Sequence, residues 1–255
     1  MSRLSLMLTI LLALDGGCAG LGSVFPPDAG AGGGDDDAQD SDTAPLFPLR
    51  AGIELTYDAV VGYGDVTATG TLVESHVGMV DDDGQDYFVV EREFVASEAG
   101  AEDPAGYGFV EQRYFRLEGG AIALRKGVVT YPNGLVATST YSPADLRFDR
   151  KATIALDHSW STLGQVAIVT EVDGTREEQT LDHRSDYQVA AAEDRAFLDG
   201  TRSGFTITGT HHYGDSVVEV ESFCAPDLAI GYQAIVPSGQ VGRPVTQELV
   251  AVQGI

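Results

Sequence analysis

The sequence predicts an all-β, mainly antiparallel domain, a meander forming a curved sheet or half-open barrel with at most one or two short helices. Apolar and polar residues alternate with a period of two in several segments, the signature of strands with one buried face. Turn residues return about every 8–14 positions, which suits a chain of short hairpins. Strands and helices do not alternate as they do in parallel doubly wound sheets.

Ile53, Leu55, Tyr57, Ala59 and Val61 fall on one face, with Glu54, Thr56 and Asp58 on the other. Gly62-Tyr63-Gly64-Asp65 reads as a turn, and Val66, Ala68 and Leu72 then alternate with Thr67, Thr69 and Thr71. Val73, Val77 and Met79 take the opposite parity, which predicts a β-bulge near residues 70–73. The acidic stretch DDDGQD (81–86) contains Asp-Gly, a hairpin signal, and its glycine is misplaced for an EF-hand loop. Residues 87–96, 107–117 and 121–131 read as further strands, separated in part by Gly119-Gly120 and ended by Pro132-Asn133-Gly134. Asp173-Gly174 joins residues 165–172 to 175–181 and is the strongest hairpin signal in the chain. Phe205 and Ile207 alternate with threonines, Val218 and Val220 with glutamates, and residues 247–252 read as a final strand. Only residues 190–198 (AAAEDRAFL) have helical composition.

The N-terminus divides the chain into a signal peptide (1–17), a lipidated cysteine with a Gly/Asp-rich tether (18–44) and one β domain (45–255). Arg3 precedes an apolar run at residues 4–14, too short to cross a bilayer, which takes about 20 residues, but suited to the core of a secretory signal. Gly16-Gly17-Cys18 resembles the lipobox of bacterial lipoproteins, with Asp15 standing where leucine is usual. The resemblance implies lipidation of Cys18 and a membrane-anchored protein of the cell envelope, with Ala19 favouring the outer membrane. Plain secretion, with cleavage near Gly17 or Ala19, is the alternative. Residues 19–47 carry Asp28, Asp35, Asp36, Asp37, Asp40 and Asp42 without a basic residue, and read as a solvated tether rather than a calcium site.

The 255 residues include 39 acidic and 15 basic side chains, a net charge of −24 that argues against nucleic acid as a partner. Two cysteines exclude a disulfide scaffold and a cysteine-rich zinc module.

The opening PLFPLRAGIELTY (45–57) resembles the F-P-L-x-x-G-x-x-W-x-Y start of uncharacterised β-rich envelope lipoproteins of Gram-negative bacteria. Phe47, Pro48, Leu49, Gly52 and Tyr57 match, and Leu55 stands in place of the tryptophan. ALDHSWS (155–161) repeats the pattern more weakly, and APDLAIGYQAI (225–235) is similar to a late element of the same proteins. These are grouped with the LolA/LolB-like fold, which implies a curved antiparallel sheet that sometimes holds an apolar cavity. No catalytic residue comes with the resemblance.

Motifs that carry chemistry are sparse, and the expectation is a protein that is not an enzyme and uses no cofactor or metal. His76, His158, His183, His211 and His212 show no zinc-site spacing. His211 and His212 point to opposite faces of a strand, and His211 reads as a hydrogen-bonded core residue. Gly214-Asp215-Ser216 echoes an esterase block, yet no histidine follows it, so it reads as a hairpin turn. Cys224 reads as an inert buried thiol and Trp160 as a core residue. The favoured function is an envelope lipoprotein that binds a protein partner or an apolar ligand; a cavity lined by aromatics such as Tyr57, Phe88 and Phe94 would favour it, and a solid core would favour a structural lipoprotein. The alternatives are a structural surface lipoprotein and a hydrolase with a non-standard site, the last requiring ionisable groups that converge in a cleft.

Overall fold

The alternation that begins at Ile53 runs through a closed barrel of twelve strands, each antiparallel to the next. The computed structural model describes residues 49–118, 121–149, 154–197, 200–225, 228–238 and 243–254. The signal peptide, Cys18 and the whole of the tether lie outside these residues. The strands are β1 (Glu54–Tyr63), β2 (Val66–Asp82), β3 (Gln85–Glu98), β4 (Phe109–Glu118), β5 (Ala121–Thr130) and β6 (Val136–Phe148). They continue with β7 (Ser159–Val172), β8 (Thr175–Phe197), β9 (Gly200–Tyr213), β10 (Ser216–Ala225), β11 (Leu228–Ser238) and β12 (Val245–Gln253). The helical content among the described residues is one 3-10 turn, Pro104–Tyr107.

The meander closes completely, one of the two outcomes that the turn spacing allows. β1 pairs with β12 from Glu54↔Gln253 to Val61↔Val245, so neither terminal strand is left with an open edge. Tight hairpins set the register. Asp83-Gly84 and Asp173-Gly174 both hold positive φ at their two residues (55° and 76°, 49° and 75°), the backbone that matches the twist of paired strands. Gly214, with φ of 57°, turns β9 into β10, so the Gly-Asp-Ser block is a hairpin, as read from sequence.

Two sequence expectations are corrected. Residues 190–197 are strand, because β8 runs on to Phe197 and pairs with β9 from Ala191↔Thr206 to Phe197↔Gly200. A nine-residue alanine-rich run is too short to hold a helix alone, and the neighbouring strand satisfies its backbone. The parity change in β2 is also absent where it was placed. Leu72, Glu74 and His76 all point inward, while Val77 and Met79 are exposed (52% and 42%). Irregularities do occur between Thr69 and Gly70 and between His76 and Gly78.

A twelve-stranded barrel has a wider lumen than the eight-stranded kind that ordinary side chains just fill. Here the interior is filled by long and aromatic residues: Arg92, Arg147, Tyr57, Tyr141, Tyr213, Phe88 and Phe94 are among the largest fully buried side chains. Tyr57, Phe88 and Phe94 do not line a cavity but are packed within the core at 0–1% exposure, the solid core that favours a structural role over apolar-ligand binding. The outward positions of the described strands carry charges such as Glu54, Asp58, Glu93, Asp182, Arg184 and Glu219. They do not form the continuous apolar band of a lipid-facing barrel.

Candidate functional site

Among the described residues the barrel buries two extended polar networks, each supplied by residues in phase with the apolar core. The first spans β2, β3 and β4. Arg92, with no exposed surface, places Nε 3.3 Å from Glu74 Oε2 and Nη1 3.3 Å from Glu111 Oε2. Arg113 Nε lies 3.0 Å from Glu111 Oε1, and His76 shares a 3.3 Å hydrogen bond with Glu74. Arg92 Nη2 also donates to Gln247 on β12, tying the network across the closing seam. Two carboxylates and two guanidiniums balance, as buried charges require.

Burial pushes the Glu74 carboxyl up. The His76 hydrogen bond and the charges of Arg92, His76 and Arg113 outweigh it and hold Glu74 below 4.5, its ordinary value. Burial and the neighbouring Arg113 lower Arg92, opposed by Glu111, Glu74 and Tyr57. A carboxyl depressed in the folded state adds stability that is present above its unfolded value and is lost as pH falls through the folded one. Urea unfolding followed from pH 7 to pH 3 should therefore show a loss of stability below about pH 4.5 that is shallower in Glu74→Gln than in the parent chain.

The second network lies across β6, β8 and β9. Asp145 is fully buried, 2.9 Å from Arg147 Nη2 and 3.8 Å from His183 Nε2, and it accepts a hydrogen bond from Ser185. Arg147 Nη1 also donates to the Tyr187 phenol at 3.0 Å. That phenol lies 2.9 Å from His211 Nε2, and the Tyr213 hydroxyl lies 3.5 Å from His211 Nδ1. Asp145, His183 and His211 each offer a ligand atom within 4.8 Å of the other two.

Near one end of the barrel, the Arg243 guanidinium lies over the rings of Tyr63 and Tyr131, 4.1 Å and 4.6 Å from their centroids. Burial pushes the Tyr63 phenol up to about 12 against the pull of Arg243. Beside it, Phe94, Pro104, Phe109, Tyr131 and Pro132 help line an open groove of about 330 Å³.

The structure brings together residues that the sequence left apart. His211 is buried and hydrogen-bonded, as expected, but it shares its surroundings with His183, which carried no role. His212 points the other way and is half-exposed. His158 pairs with Asp149 at 3.0 Å and stacks on Trp160, whose Nε1 donates to Leu146 O at 3.2 Å. Trp160 is a core residue at 7% exposure. Ser216 opens β10 at the hairpin. Cys224 is buried as expected, but the inert thiol is corrected: its sulfur is in a disulfide. Glu74, Arg92, Glu111, Arg113, Asp145 and Arg147 were missed. The signal was available: Arg92 shares the parity of Val90 and Phe94, and Glu111 and Arg113 that of Phe109 and Phe115.

No protein-family model matches the chain, and no curated protein matches its sequence. A solved structure from Bacteroides fragilis, described as a "putative exported protein with YmcC-like fold", is similar to it with a TM-score of 0.47 and 10% identity. That alignment covers 83% of this chain and 100% of the other.

Proposed function

We propose that this protein is a lipid-tethered domain of the cell envelope that is not an enzyme and that presents the outside of its barrel to a protein partner. The observation that carries the reading is the filled interior. Both polar networks are sealed among the core residues, and Glu74, Arg92, Asp145, His183 and His211 are each at most 2% exposed. Catalysis needs ionisable groups within reach of a substrate in a cleft. An apolar ligand in the lumen would have to displace packed aromatics and lie against buried charge. The leader, with Arg3, its apolar run and Gly17-Cys18, supports export and the anchor. The open groove beside Phe109 and Tyr131 supports a protein partner over a purely structural role. Membership of the LolA/LolB-like group, drawn from the opening and late motifs, belongs to the same proposal.

Native mass spectrometry of the detergent-extracted protein is the test. The expected mass is the chain from Cys18 plus its acyl groups, with no extractable lipid beyond them. A stoichiometric lipid that survives delipidation of the anchor would return the function to ligand carriage.

The anchor is tested apart from the lumen. Cys18 and Cys224 are the only cysteines, so within one chain the disulfide at Cys224 and a lipid thioether at Cys18 exclude each other, and the anchor requires Cys224 to be released from that bond. Cys18→Ser should release the protein from the membrane fraction. Intact mass after reduction and alkylation should show one alkylated cysteine, Cys224. Two alkylated cysteines and no acyl mass would sink the lipoprotein assignment.

A further inference from the structure

We propose that Asp145, His183 and His211 form a structural binding site for a divalent transition-metal ion, with zinc as the natural candidate by ligand chemistry. Two imidazoles and one carboxylate are a donor set suited to such ions and unlike the all-oxygen shells of calcium or magnesium. The three residues come from β6, β8 and β9, so one ion would cross-link three consecutive strands. Their ligand atoms already lie within 4.8 Å of one another. Zinc bonds of about 2.0–2.2 Å call for separations of about 3.3 Å, so side-chain shifts of about an ångström complete the site.

The surroundings resemble the outer shell of a metal centre. Ser185 donates to Asp145 Oδ1, fixing the carboxylate, and the Tyr187 and Tyr213 hydroxyls lie against the two nitrogens of His211, so that one phenol orients the ring through the free nitrogen and the other gives up its place to the ion. Tyr213 stacks on His183 at 4.9 Å and Tyr141 meets it edge-on at 5.0 Å, which holds that ring in place. Arg147, on the same carboxylate oxygen, opposes a cation, and its second partner, Tyr187, can keep the guanidinium engaged when the ion takes that oxygen. Three protein ligands leave a fourth position to water, and at 0–1% exposure that position is closed to a substrate, so burial assigns the site a structural role.

The experiment uses the full mature chain, stripped with chelator and supplied with zinc alone or with cobalt(II) as an optical reporter. One equivalent of zinc should survive gel filtration and raise the thermal midpoint by several degrees. Cobalt should give the visible absorption of a four-coordinate site. His183→Gln and His211→Gln should each lose the equivalent, the cobalt spectrum and the thermal shift, while His158→Gln and His212→Gln keep all three. Zinc held by the acidic exterior would persist in every variant, and that result overturns the site. So does a parent chain that retains no equivalent. If either inner variant fails to fold, Asp145→Asn and the cobalt spectrum of the parent chain decide, and a spectrum of six-coordinate oxygen ligation rejects the proposal.

Discussion

Leu55→Asp should leave little folded protein, whereas Thr56→Asp, one residue on, should fold and unfold much as the parent does. Leu55 is 1% exposed and sits on the strand that closes the barrel, opposite Val252 on β12 and Glu74 on β2. An aspartate there would lose the apolar burial of leucine and put a carboxylate beside a buried carboxylate already committed to Arg92 and His76. The cost is on the order of 5 kcal/mol, comparable with the whole stability of many domains. Tyr57→Asp, two residues along the same face, should behave in the same way. Thr56 faces outward between Val73 and Ala251, where a new charge stays hydrated. Glu54 and Asp58 flank it on the same face, so repulsion should cost a few tenths of a kcal/mol. Circular dichroism and urea unfolding of the three variants decide the matter. Equal damage at positions 55 and 56 would mean that both faces of β1 are buried.

The strands were legible where local chemistry and burial agree. Ile53 to Val61 alternates because one face meets the core, and Asp173-Gly174 makes a hairpin because glycine and aspartate tolerate positive φ. Legibility failed where the interior is polar. Glu74 and His76 point inward, yet read as solvent-facing, so the neighbouring Val77 and Met79 were assigned the buried parity that they do not have. Arg92 is hidden for the same reason. Its partners Glu111 and Gln247 lie 19 and 155 positions away, and only the closed barrel brings them together. Asp145, His183 and His211 follow that rule, because three strands must pair in register before their ligand atoms meet. The β conformation of residues 190–197 was unreadable because alanine, glutamate and arginine favour helix locally, and the ladder with β9 decides otherwise.

Arg92→Met should destabilise the domain at pH 7 by about 3–5 kcal/mol, although methionine fits much of the volume and suits a core better than a charge. The loss comes from what is left behind. Arg92 touches both Glu74 and Glu111, so its removal takes from two buried carboxylates a positive charge that His76 and Arg113 replace only in part. One of the carboxylates should respond by taking up a proton, since like charges in a dry interior cannot both ionise at modest cost. The pH dependence is the diagnostic. Parent stability should fall on acidification below about pH 4.5, as Glu74 loses its charge and its partners. The variant should lose less over the same interval, so that the two stabilities converge toward acid. Adding Glu74→Gln to Arg92→Met should then recover part of the loss, because it removes a charge that no longer has its partner. A double-mutant cycle by urea unfolding gives the coupling directly, with about 1–3 kcal/mol expected between the two positions. Additive effects, or a cost for Arg92→Met below about 1 kcal/mol, would mean that water reaches these charges and that the barrel interior is not sealed around them.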